Sequence, residues 1–181
     1  TMAEAFSNKL SRAVGVVTTN SSASVGIKTN IITGISTVGI SSGYLVDSAN
    51  HLHGTKVDRV DVSKVYTSRN STNTSAVSAT GNVNFLGLTS AYTSAAATKS
   101  ILIGGTFANN TDSEVEVTIE IHDSSTNTAV GLGHAIPIPT GSSFVISDAG
   151  KTVLEAHDSV NVYCDTANGI DVTLAVLTGV S

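Results

Sequence analysis

The chain opens with apolar side chains at every fourth position, Met2, Phe6, Leu10 and Val14, and Gly15 ends the run. That spacing lays them along one helical face. A helix so short is marginal alone in water, so the segment 1–15 reads as a helix or arm that docks on its own domain, docks on a neighbour or stays loose. Beyond residue 15 the helical period vanishes. Short runs of β-branched residues take over, punctuated by Gly, Asn and Ser, and such runs make strands. Strands are expected at 14–19, 23–33, 43–46, 56–62, 65–67, 76–86, 99–106, 115–122, 136–138, 143–147, 153–154, 159–164 and 170–177.

The clearest alternation is at 114–122, where Val115, Val117, Ile119 and Ile121 take one face and Glu114, Glu116, Thr118, Glu120 and His122 the other. One apolar and one wet face predict antiparallel pairing. The runs 159–164 and 170–174 flank a loop ending in Asn168-Gly169, which predicts a closing β-hairpin. Cys164 shares a face with Val160 and Val162, so it reads as a small buried hydrophobe. Pro137 and Pro139 remove two amide donors from one side of an extended segment, which places that segment on a sheet edge or in a linker. The stretch 87–98 is small and polar, and it marks a boundary between two β domains.

Composition narrows the function classes. Only 13% of the 181 residues are charged and 4% are aromatic, while Ser and Thr supply 49 positions. Aromatic platforms for bases or sugars have little material. Seven basic residues face four acids over 1–69, and two face ten over 90–181. Two parts with opposite fields suit attraction within the chain or between copies. The scattered cations, interrupted by acids, make no phosphate-tracking stripe, so no nucleic acid is expected. Apolar runs never exceed four residues, far below the ~20 of a membrane span. No membrane partner is expected, and Thr1 to Glu4 lack the basic start of a secretory signal. One cysteine excludes an intrachain disulfide framework.

Candidate chemistry is sparse. His51 and His53 stand two apart, on one side of an extended segment, which is a metal-ligand spacing. A monomer would need a third ligand from elsewhere, whereas a three-fold assembly would bring three pairs to one axis, as phage tail fibres do with His-x-His. No metal is assigned, and His51 and His53 are the candidates should one bind. His157, Asp158 and Ser159 have the residue types of a nucleophilic triad, but adjacent residues point apart. No phosphate loop, dinucleotide fingerprint or zincin helix occurs. No cofactor and no catalytic residue is assigned.

The stretches Phe6-Ser-Asn-Lys-Leu-Ser-Arg-Ala-Val-Gly15, Ile136-Pro-Ile-Pro-Thr-Gly-Ser-Ser-Phe144, Lys151-Thr-Val-Leu-Glu-Ala-His-Asp-Ser-Val160 and Asp165-Thr-Ala-Asn-Gly-Ile-Asp-Val-Thr-Leu-Ala-Val-Leu177 resemble small virion structural proteins of marine tailed phages, notably those of cyanobacteria. The resemblance covers the leading segment and about residues 99–178. Shorter members run from the arm straight into the β domain, so 16–90 has the place of an insertion, similar in style to modules of phage fibres and appendages. The resemblance implies a non-enzymatic virion component, decorating the capsid or belonging to the neck or tail, whose partners are other virion proteins.

The expected molecule is therefore all-β: two small antiparallel β-sandwich or jelly-roll-like modules with a short N-terminal helix or arm. Its domains are the arm 1–15, an inserted β domain 16–90 and a C-terminal β-sandwich 91–181. Phe6, Leu10 and Val14 are expected to anchor a homo-oligomer, a trimer among the options. The rival reading is a host-receptor or glycan-binding module of a tail fibre, with Tyr44 and His51 on the reading surface.

Overall fold

In the computed structural model, which describes residues 4–75, 79–147 and 151–180, the β-branched runs become strands and no helix forms among the described residues. The strands are β1 (Ala5–Val14), β2 (Val16–Val25), β3 (Ile31–Thr33), β4 (Leu45–Asp47), β5 (Val57–Asp61), β6 (Lys64–Thr67), β7 (Ala79–Gly87), β8 (Thr89–Thr93), β9 (Lys99–Asn109), β10 (Val115–Asp123), β11 (Thr128–Ile138), β12 (Ser143–Ile146), β13 (Thr152–Leu154), β14 (Ser159–Cys164) and β15 (Ile170–Val180). They form two compact units, one of Thr1–Gly15 with Thr89–Ser181, the other Val16–Leu88.

The first unit is a two-sheet sandwich. Its first sheet runs β1-β15-β9, with β12 and β13 on successive stretches of the far edge of β9, and its second runs β8-β14-β10-β11. Every pair is antiparallel, and the pairs nest: β1 with β15, β8 with β14, β9 with β12 and β13, β10 with β11. A ribbon doubled over and wrapped in this way is a jelly roll. Inward residues of both sheets close one core, among them Phe107, Val172, Leu174, Ile119, Val162 and Cys164.

Val16–Leu88 is inserted between the first two strands of the roll. Its single antiparallel sheet has the order β4-β7-β2-β3-β6-β5, and its two ends meet. Leu45 bridges Lys56, Val46 N–H donates to the Thr55 carbonyl and Val57 N–H to the Tyr44 carbonyl, both at 2.8 Å. The sheet is thus a small closed barrel around Val25, Ile32, Val57, Val65 and Phe85, and closure leaves no free edge along its central strands.

The structure corrects several expectations. Of the segment 1–15 expected as a helix or arm, residues 1–3 lie outside the described residues; Ala5–Val14 is strand β1, bonded along β15. A four-residue spacing is also an even spacing, so Phe6 and Leu10 share one face of a strand as they would of a helix, and the open edge of β15 supplies the partners. The segment is integral to the roll rather than a domain by itself, and the insertion runs Val16–Leu88. The runs 159–164 and 170–174 do not form a hairpin. β14 pairs with β10 and β8, while β15 pairs with β1 and β9, so 165–169 crosses between sheets and the two apolar faces meet across the core. The polar face of β10 is dry at its centre, where Glu120 is only 2% exposed and Thr118 6%, while Glu116 and His122 toward its ends are half-buried. Two expectations hold with a difference: the units divide at Leu88 and Thr89, inside 87–98, but that stretch also holds β8, and Pro137 lies on a sheet edge as expected, in β11, which already begins at Thr128. The expected strand 76–86 is β7 from residue 79 onward; 76–78 lie outside the described residues.

Candidate assembly face

β1 is inside out. Ser7, Lys9 and Ser11 stand opposite Val176, Leu174 and Val172 of β15, which point into the core, and opposed residues share a face. The hydroxyls and the amine therefore turn inward. Phe6 and Leu10 turn outward and are 78% and 74% exposed. The inward polar groups fit poorly. Ser7 Oγ is buried with no hydrogen-bond partner among the described residues, and Lys9 Nζ sits 5.7 Å from the centroid of the Tyr92 ring. A bulge between Ser11 and Val14, with Ala13 at φ 54°, inserts one extra residue. It turns Val14 into the core, where it is 4% exposed. Ala13 N–H donates to Asp171 Oδ1 at 2.8 Å and pins the bulge. A one-residue shift of register flips every side chain of a strand; the bulge confines that flip to the strand's last residue. Gly15 follows at φ 141°, and a Cβ there would lie 2.3 Å from the Thr166 carbonyl oxygen, so only glycine fits.

The register extends the outward side chains into rows across the first sheet. Phe6 lies opposite Leu177, Leu177 opposite Ile101, and Ile101 opposite Val153, an apolar line crossing every strand position of the sheet. A second row runs from Leu10 through Thr173 and Thr106 to Val145. Val145 and Val153 are 55% and 53% exposed. Charge appears at the ends of the face. Lys99, two residues from Ile101 on the same side of β9, pairs with Glu155 at 3.0 Å, and Asp171 lies on the outward side of β15 at the opposite end. Apolar side chains interspersed with the uncharged Asn8, Thr173 and Thr106, with charges kept to the margin, fit the anatomy of a protein–protein interface. Exposed single apolar residues need no explanation, but rows of them do.

The outer face of the second sheet is different in kind. Thr118, Glu120, Ser159, Asn161 and Tyr163 are polar and all buried. Ser159 Oγ donates to Asn161 Oδ1 at 3.1 Å, and Thr118 Oγ1 accepts the Ala135 N–H at 3.0 Å. Burial, and then the charge and hydrogen bond of Glu120, push the Tyr163 phenol well above its ordinary range.

The remaining candidates separate. Val14 is committed to its own core, so of the three expected anchors only Phe6 and Leu10 face outward. Tyr44 precedes β4, with its ring 3.2 Å from where a Gly87 Cβ would lie; His51 follows β4 at the other end, buried, with Nδ1 2.7 Å from Ser48 Oγ. The two do not form one exposed surface. Burial lowers the His51 pKa. His53 is exposed while His51 is not, and no group of three or more metal-ligating side chains occurs among the described residues. Asp158 is a loop organiser, accepting the Ser124 and Glu155 N–H groups at 2.9 and 3.0 Å. Cys164 is buried, and desolvation pushes its thiol up to about 11. Sequence reasoning found Phe6 and Leu10 but missed Leu177, Ile101, Val145 and Val153, because their alternation with core residues does not reveal which face is covered.

Comparison of the chain with protein-family models, with curated proteins and with solved structures finds no match.

Proposed function

We propose that this chain is a non-enzymatic structural component of a tailed-phage virion, a capsid decoration or a neck or tail part, held by the outer face of its first sheet. The observation that carries the reading is the inverted strand β1, which leaves Phe6 and Leu10 in water and turns Ser7 and Lys9 toward the core. A strand of a solitary protein gains by the opposite register, since burying such a side chain contributes about 1.5–3 kcal/mol. The gain is recovered when another subunit covers the face. The sequence resemblance supplies the setting: the neighbours are further copies of the chain, a trimer among the options, and with them other virion proteins. A long edge strand such as β1 suits an assembly part, because edges pair with other chains unless blunted.

The test is decoration of particles. Labelled wild-type protein should bind purified particles that lack it, while Phe6→Asn/Leu10→Asn should fold normally and fail to bind. Equal binding by the variant removes the face from the account, and absence of the wild-type chain from purified virions removes the virion.

A further inference from the structure

The barrel carries a second surface, independent of the assembly face. Loops 26–30, 48–55 and 68–75 are bonded to one another. Lys28 N–H donates to the Asn73 carbonyl at 3.1 Å, Ser71 N–H to Thr29 and Thr72 N–H to Asn50 at 2.8 Å, and Arg69 Nη1 to the His53 carbonyl at 3.2 Å. Beneath them, the buried Ser71 hydroxyl and Asn73 amide donate to the Gly26 and Val25 carbonyls at 2.7 and 3.0 Å. The loops form one framed crown rather than three separate tips.

The crown's chemistry differs from that of the rest of the chain. Lys28, Arg69 and His53 are exposed, interleaved with exposed Asn70 and Thr72, and the three loops contain no Asp or Glu. The barrel unit has five basic residues against three acids, the jelly-roll unit four against eleven. A polyanion is therefore repelled by one unit and drawn to the crown of the other, and such a field orients an encounter as well as speeding it.

We propose that the crown binds an anionic polysaccharide. Lys28 and Arg69 meet its carboxylate or sulfate groups, Asn70 and Thr72 its hydroxyls, and the exposed Leu52 the apolar side of a sugar ring. The loops hold no Phe, Tyr or Trp, so bases have nothing aromatic to stack on and a nucleic acid is disfavoured. Two exposed cations bind weakly in one copy, and an oligomer multiplies the effect through effective concentration.

The probes are dextran sulfate, polygalacturonate and uncharged dextran, immobilised and challenged with the full-length chain. Retention is expected at low salt on one or both charged polymers and not on dextran, weakening steeply as salt shortens the electrostatic reach to about 8–10 Å. Lys28→Gln/Arg69→Gln should reduce retention at least fivefold. Arg59→Gln/Lys64→Gln, an equal charge change on the strands β5 and β6, should leave it within twofold. Equal losses in both variants would show charge attraction without a site. Unchanged retention in the crown variant overturns the proposal. Unchanged retention with a lower oligomer mass would assign the crown to the acidic unit of a second copy instead.

Discussion

The two outer faces of the jelly roll reverse the usual relation between polarity and exposure. The first sheet shows Phe6, Leu10, Val145 and Val153 to water, whereas the second keeps Glu120, Asn161 and Tyr163 out of it. Burial does not follow residue type here; it follows what each face is built to meet. Polar groups taken out of water need partners, and the Glu120–Tyr163 pair shows one. Apolar rows left in water need a cover, and in the function proposed above a second protein surface would supply it.

The sharpest way to break this contrast is to test the two sides of the first sheet separately. Leu174→Ala opens a cavity among buried residues and should cost about 2–5 kcal/mol in urea unfolding. Leu10→Ala, on the opposite side of the same sheet, should leave the isolated chain within about 0.5 kcal/mol. If Leu10→Ala proves as costly, the outer face is covered by the chain itself.

The second sheet should be next in size. Glu120→Ala removes a hydrogen-bond partner of the buried Tyr163 hydroxyl and should cost about 1–3 kcal/mol, while an exposed carboxylate would cost almost nothing. The same pair sets an alkaline response. Because the folded state raises the Tyr163 pKa, it holds the phenolic proton more tightly than the unfolded chain does. The stability this provides is complete below about pH 10, the unfolded value, and falls as pH rises beyond it. Tyr163→Phe should flatten that alkaline slope in urea midpoints measured from pH 8 to 11. The smallest effect belongs to the barrel. Burial lowers the His51 pKa, so its share of stability is present above about pH 6.5 and declines as pH falls through that value toward the folded pKa. His51→Gln should remove this part of the acid slope, read by barrel-specific chemical shifts between pH 7 and 5.

Much of the fold is legible in the sequence, because alternation at Val115, Val117 and Ile119 and β-branching at Val160 and Val162 give strands wherever they occur. The leading segment is not: Phe6, Leu10 and Val14 satisfy helical and extended geometry alike, and only the open edge of β15 decides between them. β8 is hidden because Thr89, Ser90 and Thr93 look like a linker, and the first half of β11 because Gly131 and Gly133 carry no strand signal. Loop 165–169 reads as a turn in either arrangement; whether it joins neighbours in one sheet or crosses between two depends on contacts far away in sequence. The candidate face was half visible. Phe6 and Leu10 stand out in a segment with no other role, but Ile101 and Leu177 sit in strands that also feed the core, so their outward direction appears only with the register.

Sedimentation equilibrium of the wild-type chain beside Phe6→Asn/Leu10→Asn decides whether the outer face of the first sheet joins one copy to another. The wild type is expected to form a concentration-dependent oligomer and the variant a monomer with unchanged circular dichroism and urea midpoint, a mass difference without a folding difference. Two chains of equal mass at every concentration, or a variant that unfolds more readily by more than about 2 kcal/mol, beyond what exposed substitutions ordinarily cost, would contradict it.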